Sequence, residues 1–205
     1  VSDAGRAISE RTPSRAEAGL PQTGLVFCCF NNSFKITPSV FDVWMRLLKE
    51  VDDSVLWLSN TLGSRNLRTE AEKRGVAAER LVFAPKVALN EDHLARMRCA
   101  DLFLDTLYYN AHSTAVDALW AGLPVLTCSG AAFASRVAGS LLHAVGLPEL
   151  VTTSVADYEA LALKLAGDPM LLSALREKLA RNRAAFPLFD TERFTRHIEA
   201  AYTTM

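Results

Sequence analysis

No apolar run among the 205 residues approaches the roughly 20 needed to cross a bilayer, so no membrane span is expected. The N-terminal stretch has no apolar segment of the signal-peptide kind. Excess charge of one sign is lacking too. The 22 Lys and Arg nearly balance the 23 Asp and Glu, for a formal net charge of −1. That leaves no electrostatic footprint for nucleic acid or an anionic membrane. Cysteine is scarce, at four residues. Cys28, Cys29, Cys99 and Cys128 each lie in or beside an apolar segment, and none shows metal-ligand spacing. They read as reduced, buried thiols and point to a cytoplasmic setting. The carboxylates are too few in the expected clefts, and the histidines too scattered, for a metal site. No G-x-G-x-x-G follows a strand, which weakens a dinucleotide site. No P-loop occurs, and no G-x-S-x-G elbow of an α/β-hydrolase. Tandem repeats and low-complexity segments are missing as well.

What is present is an apolar fraction of 50%, enough for one core and a chain of one domain or two. Residues 1–23 stand apart. They are rich in Ala, Ser, Arg and Glu, with Pro13 and Pro21, and read as a linker or surface-lying lead-in, partly disordered. A short helix near 14–18 is expected within them.

From residue 24 on, apolar runs alternate with helical patterns. Strands are expected at 25–30, 54–59, 80–84, 100–106, 124–128 and 150–153. The first helix opens at Thr37, Pro38 and Ser39, with Ser39 and Asp42 resembling a capping box. A polar helix follows at 66–74, and another is capped by Asn90 with Glu91 and Asp92 in its first turn. Later helices are expected at 114–121, 131–145, from Ser154 to 166, from Asp168 to 185, and from Asp190 to 202. Strand and helix alternate five times before an all-helical tail. That pattern predicts a parallel, right-handed, doubly wound α/β sheet. In such sheets ligands bind beyond the carboxyl ends of the strands.

The loops after strands carry the chemistry. Residues 100–129 read as strand, polar loop, helix, glycine stop at Gly122, and strand. His112, Ser113 and Thr114 stand where that helix begins. A helix N-terminus offers unpaired N–H groups and about half a positive charge, a seat for phosphate oxygens. Asp117 lies one turn on, on the face of Thr114, where a carboxylate suits the vicinal hydroxyls of ribose. Ser113 and Asp117 read equally well as an N-cap and a first-turn acid. Lys35 and Asn32 follow the first strand. Lys35 can neutralise a diphosphate, or be a solvated loop lysine. His93 and Arg96 share one face of their helix, and His93 suits contact with a base as well as plain exposure. His112 is a possible general base but reads better as a donor to phosphate.

Several runs carry a specific likeness: FNNSFKI at 30–36, SVLWL at 54–58, NAHSTAVDALWAGLPVLT at 110–127, ASRVA at 134–138 and PLFDT at 187–191. Together they resemble the C-terminal catalytic lobe of the O-linked N-acetylglucosamine transferases, glycosyltransferase family 41, over residues 24–205. The resemblance implies a Rossmann-like lobe of a GT-B enzyme, with C-terminal helices, that binds the donor UDP-N-acetylglucosamine. It implies transfer of the sugar to Ser or Thr hydroxyls of a protein acceptor, with inversion and with neither metal nor cofactor. A first lobe preceded by tetratricopeptide repeats completes the cleft in the family. The chain holds neither, and reads as a fragment or one piece of a divided enzyme.

Residue by residue, the likeness places Asn32 and Lys35 on the phosphates. Ala88, His93 and Arg96 come around the uracil, His112, Ser113 and Thr114 around the diphosphate, and Asp117 on the ribose. Lys35 is the residue expected to act in catalysis, by stabilising charge that develops on the β-phosphate. Two positions depart from the animal members, which carry glutamine at Asn32 and lysine at Asn90. A UDP-sugar epimerase of GT-B fold and a non-catalytic nucleotide-sugar-binding module remain as alternatives.

Overall fold

The computed structural model describes residues 5–204. Among these residues six strands form one sheet: β1 (Val26–Cys29), β2 (Val55–Ser59), β3 (Leu81–Ala84), β4 (Leu102–Leu104), β5 (Val125–Cys128) and β6 (Val151–Thr152). Their order is β3-β2-β1-β4-β5-β6, and every pairing is parallel. This is the doubly wound order, with its switch point between β1 and β4. The central strands are buried along their length, which is why they read as unbroken apolar runs.

Among the described residues, eight α-helices connect and flank the strands: α1 (Pro38–Glu50), α2 (Ser64–Lys73), α3 (Asn90–Arg96), α4 (Ser113–Ala121), α5 (Val137–Ala144), α6 (Val155–Gly167), α7 (Pro169–Ala185) and α8 (Thr191–Thr204). Among the described residues, no helix is long and apolar enough to cross a membrane. Helix α1 buries Val40, Phe41, Trp44, Met45, Leu47 and Leu48 against the sheet. Trp44 donates its indole N–H to the Tyr158 hydroxyl at 3.2 Å, and that hydroxyl donates to the Asp105 carbonyl at 3.0 Å. One buried polar relay thus ties α1 and α6 to the end of β4.

Local starts and stops differ from the sequence reading in places. Thr37, not Ser39, caps α1, accepting from the Val40 N–H. Asp42 instead pairs with Arg74 at 2.5 Å, so no capping box forms. Asn90 is the first residue inside α3, behind Leu89, and does not cap it. His112 occupies the N-cap position of α4, so Ser113 is already helical. The helix expected at 131–145 is shorter. A 3-10 turn at Phe133–Ser135, with the Ser135 hydroxyl donating to the Ala132 carbonyl at 2.9 Å, precedes α5. Ser154 and Asp168 do cap α6 and α7.

The lead-in lies along the lobe. Arg15 donates to the Gly24 and Cys99 carbonyls and pairs with Asp101 at 2.6 Å, and Leu20 is buried. The stretch near 14–18 forms a run of turns rather than a helix. Residues 1–4 of the expected linker lie outside the described residues.

Candidate functional site

The chain leaves β1 and β4 in opposite directions, so the loops after them face each other across the switch point. Asp105, the first residue beyond β4, organises that crevice from below. It is fully buried. One carboxylate oxygen accepts from the Thr106 N–H at 2.8 Å, the Ala111 N–H at 2.6 Å and the Asn31 amide at 3.2 Å. The other accepts from the Thr127 hydroxyl at 2.7 Å. Asn31 also donates to Thr106 Oγ1 at 2.7 Å. The loop from 106 to 112 is thereby closed over a single carboxyl group. Burial drives that group up to about 7, and the four donors work against the rise.

Lys35 rises from a 3-10 turn at Ser33–Lys35 and crosses the crevice. Its ammonium donates to the Asn110 carbonyl at 2.9 Å and lies 3.8 Å from the centre of the Tyr109 ring. Partial burial lowers its pKa, and the nearby Asp105 opposes that. Lys35 is therefore a held cation beside the start of α4. Asn32, at the cap of its turn, is exposed and makes no side-chain cap bond.

The first turn of α4 holds Ser113 and Thr114, whose N–H groups precede the first intrahelical bond, Val116 N–H to His112 carbonyl at 3.1 Å. His112 sits between the rings of Tyr109 and Phe133, at 5.2 and 6.3 Å. With Phe34, 6.3 Å from Tyr109, they make an aromatic rim.

The third expected group gathers one strand-end away. Ala88, His93 and Arg96 line one cavity of about 360 Å³ beyond β2 and β3, together with Asn60 and Asn90. Arg96 is buried and donates to the Pro85 carbonyl at 2.5 Å and to His93 Nδ1 at 3.1 Å. Guanidinium nitrogens only donate, so Nδ1 accepts and the neutral ring carries its proton on Nε2. Burial and the adjacent guanidinium both lower the His93 pKa, which favours that neutral form. Phe30 packs 5.4 Å from the His93 ring and 5.0 Å from the Arg96 guanidinium.

Asp117 lies on α4 and pairs with Arg6 of the lead-in at 2.6 Å. Both line a cavity of about 720 Å³ with His112 and Ser113, lined further by Val137, Leu141 and Ala144 of α5 and by Arg193, Phe194 and His197 of α8. This larger cavity only borders the crevice, and Lys35 lines neither cavity. The structure thus brings Lys35, His112, Ser113 and Thr114 to the switch point, and Ala88, His93 and Arg96 to a neighbouring pocket. Asp117 lies on the helix that starts at the crevice, and Asn32 stands at the rim. Sequence reasoning passed over Asp105, Tyr109 and Arg6. A lone acid ending an apolar run was a usable signal for Asp105. Arg6 gave none.

Set together, these features offer a fixed cation, a row of N–H donors at a helix start, hydroxyls and a carboxylate, the donor set for a nucleoside diphosphate. The comparisons with known proteins identify the family. The profile of glycosyl transferase family 41 matches residues 5–198. A probable UDP-N-acetylglucosamine-peptide N-acetylglucosaminyltransferase of Arabidopsis thaliana is 38% identical over 196 residues, covering 94% of this chain and 20% of the relative. A UDP-N-acetylglucosamine-peptide N-acetylglucosaminyltransferase of Caenorhabditis elegans is 39% identical over 188 residues, covering 91% of this chain and 16% of the relative. The structure of an O-GlcNAc transferase variant of Thermobaculum terrenum superposes with a TM-score of 0.82 at 38% identity, over 87% of this chain and 35% of that one. The chain therefore spans about a fifth of the length of these curated relatives. On its sequence and its fold alike, the chain belongs to glycosyl transferase family 41.

Proposed function

We propose that this chain is the donor lobe of a protein O-N-acetylglucosaminyltransferase, holding UDP-N-acetylglucosamine at the β1/β4 switch point. The observation that carries the reading is the Lys35 ammonium, fixed at 2.9 Å from the Asn110 carbonyl beside the open start of α4. Cleavage of the anomeric bond leaves negative charge on the β-phosphate. Lys35, with the N–H groups of Ser113 and Thr114, answers that charge electrostatically, without a metal or cofactor. Asn32 and His112 complete the diphosphate contacts. The neutral His93, packed against Phe30 and held by Arg96, joins Ala88 in receiving the uracil, with Nε2–H as a donor to a base carbonyl. Asp117 accepts from the ribose hydroxyls. The acceptor protein approaches from a first lobe, preceded by tetratricopeptide repeats, that closes the cleft and leads to inversion at the anomeric carbon.

The test is product analysis by mass spectrometry. The lobe joined to a first catalytic lobe is incubated with UDP-N-acetylglucosamine and an acceptor peptide rich in Ser and Thr. The proposal expects peptide carrying one added N-acetylhexosamine, and free UDP. Epimerised nucleotide sugar, or intact donor with unmodified peptide, contradicts it.

A further inference from the structure

The lead-in places one cation against the carboxylate read as the ribose ligand. Arg6 Nη2 lies 2.6 Å from Asp117 Oδ1, and both side chains are largely buried, 22% and 16% exposed. The backbone there is also anchored, because the Trp120 indole N–H donates to the Arg6 carbonyl at 2.9 Å. Asp117 and Trp120 are three apart on α4, so the same helix face grips the segment at its side chain and at its main chain. Three residues later the Ser9 N–H donates to the Glu91 carbonyl of α3 at 3.2 Å. The lead-in thus runs from α4 to α3, the two helices that carry Asp117 and His93. Arg6 lines the same cavity as His112, Ser113 and Asp117.

We propose that Arg6 is a positioning residue for the nucleotide's ribose, fixing the Asp117 carboxylate so that its free oxygen meets the vicinal hydroxyls. This rests on the reading of Asp117 as the ribose ligand. An ionised carboxylate has about four acceptor positions. The ion pair engages Oδ1 and leaves Oδ2 for the diol. A carboxylate at a helix surface otherwise samples several rotamers, and a diol contact made by a wandering acceptor loses free energy to ordering. Arg6 removes that cost before the nucleotide arrives. A lysine in its place keeps the charge but loses the planar fork.

The experiment compares UDP with 2′-deoxy-UDP by calorimetric titration of the full chain carrying Arg6→Ala, Arg6→Lys, Asp117→Ala or both alanine changes, with thermal unfolding as a check on folding. The proposal expects Arg6→Ala to weaken UDP by about tenfold, the scale of one charge-assisted hydrogen bond. It expects 2′-deoxy-UDP, which keeps only the 3′ hydroxyl, to be weakened less, so that the preference for UDP falls toward that of Asp117→Ala. Arg6→Lys should keep part of the preference, and the double variant should bind UDP no worse than Asp117→Ala alone. Arg6→Ala with unchanged or tighter UDP binding overturns the proposal while a loss in Asp117→Ala leaves the ribose reading standing. Equal weakening of both ligands also overturns it, because a merely structural role acts on both. Unchanged UDP affinity in Asp117→Ala overturns the ribose reading itself, and the role of Arg6 with it.

Discussion

Replacing Asp105 by alanine tests how the loop after β4 is built. The side chain is fully buried and collects four donors. After truncation, Asn31 still has Thr106 Oγ1 at 2.7 Å, and the Thr127 hydroxyl is free to turn. The Thr106 and Ala111 N–H groups lose the carboxylate that holds the loop closed. Two unsatisfied buried donors cost about 2–6 kcal/mol together. The penalty also depends on pH. In the unfolded chain the carboxyl titrates near 3.9, while in the fold burial raises it to about 7. The folded state therefore holds the proton more tightly. Its contribution is fully present below about pH 4 and is lost as pH rises through about 7. Between pH 5 and pH 8 the wild-type chain loses about 3 kcal/mol through this group, at roughly 1.4 kcal/mol per pH unit until the slope fades near pH 7. The alanine variant has no such group. Urea unfolding should thus give a penalty of about 4 kcal/mol at pH 5 that shrinks to about 1 kcal/mol at pH 8. Asp105→Asn keeps an oxygen for the two N–H groups, so it should lie near wild type at pH 5 and show no slope from this site. An alanine penalty equal at both pH values refutes the titration argument. A penalty below about 1 kcal/mol at pH 5 refutes the claim that the loop hangs from this carboxyl.

Other expectations follow from single contacts. Lys35→Ala in the complete enzyme should lower turnover by roughly 10²-fold or more, the scale of losing one preorganised donor, and near-normal steady-state kinetics would remove Lys35 from the chemistry. Asp117→Ala should act mainly on UDP affinity, measured by titration, with little effect on unfolding. Gly24 sits at φ +86°, and a Cβ there would collide with the Asp53 carbonyl oxygen. Gly24→Ala should therefore cost at least about 2 kcal/mol in urea unfolding, and a change within about 0.5 kcal/mol would deny that strain.

The sheet was readable because each central strand is buried on both faces, so LVFCCF and VLWLS appear as continuous apolar runs. The loops after β1 and β4 were readable for a related reason. Strand ends are marked by a sudden change to polar residues, and the doubly wound order puts such ends together. Helix caps were less legible. Ser39 and Asn90 have the right chemistry two positions and one position past the residue whose backbone turns, and only backbone geometry separates them from Thr37 and Leu89. Arg6 was invisible, since its partner lies 111 residues away and nothing local in the lead-in marks it. Tyr109 read as part of a polar loop, because a ring over an ammonium depends on the fold that brings Lys35 across the crevice.

Titration of UDP into this chain by calorimetry, alone and joined to a first catalytic lobe, bears most directly on the donor-lobe assignment. Binding at one site in both forms, tighter in the joined form and weakened by Lys35→Ala, is the predicted result. A folded chain that takes up no UDP in either form would contradict the assignment and leave the family's fold without its nucleotide site.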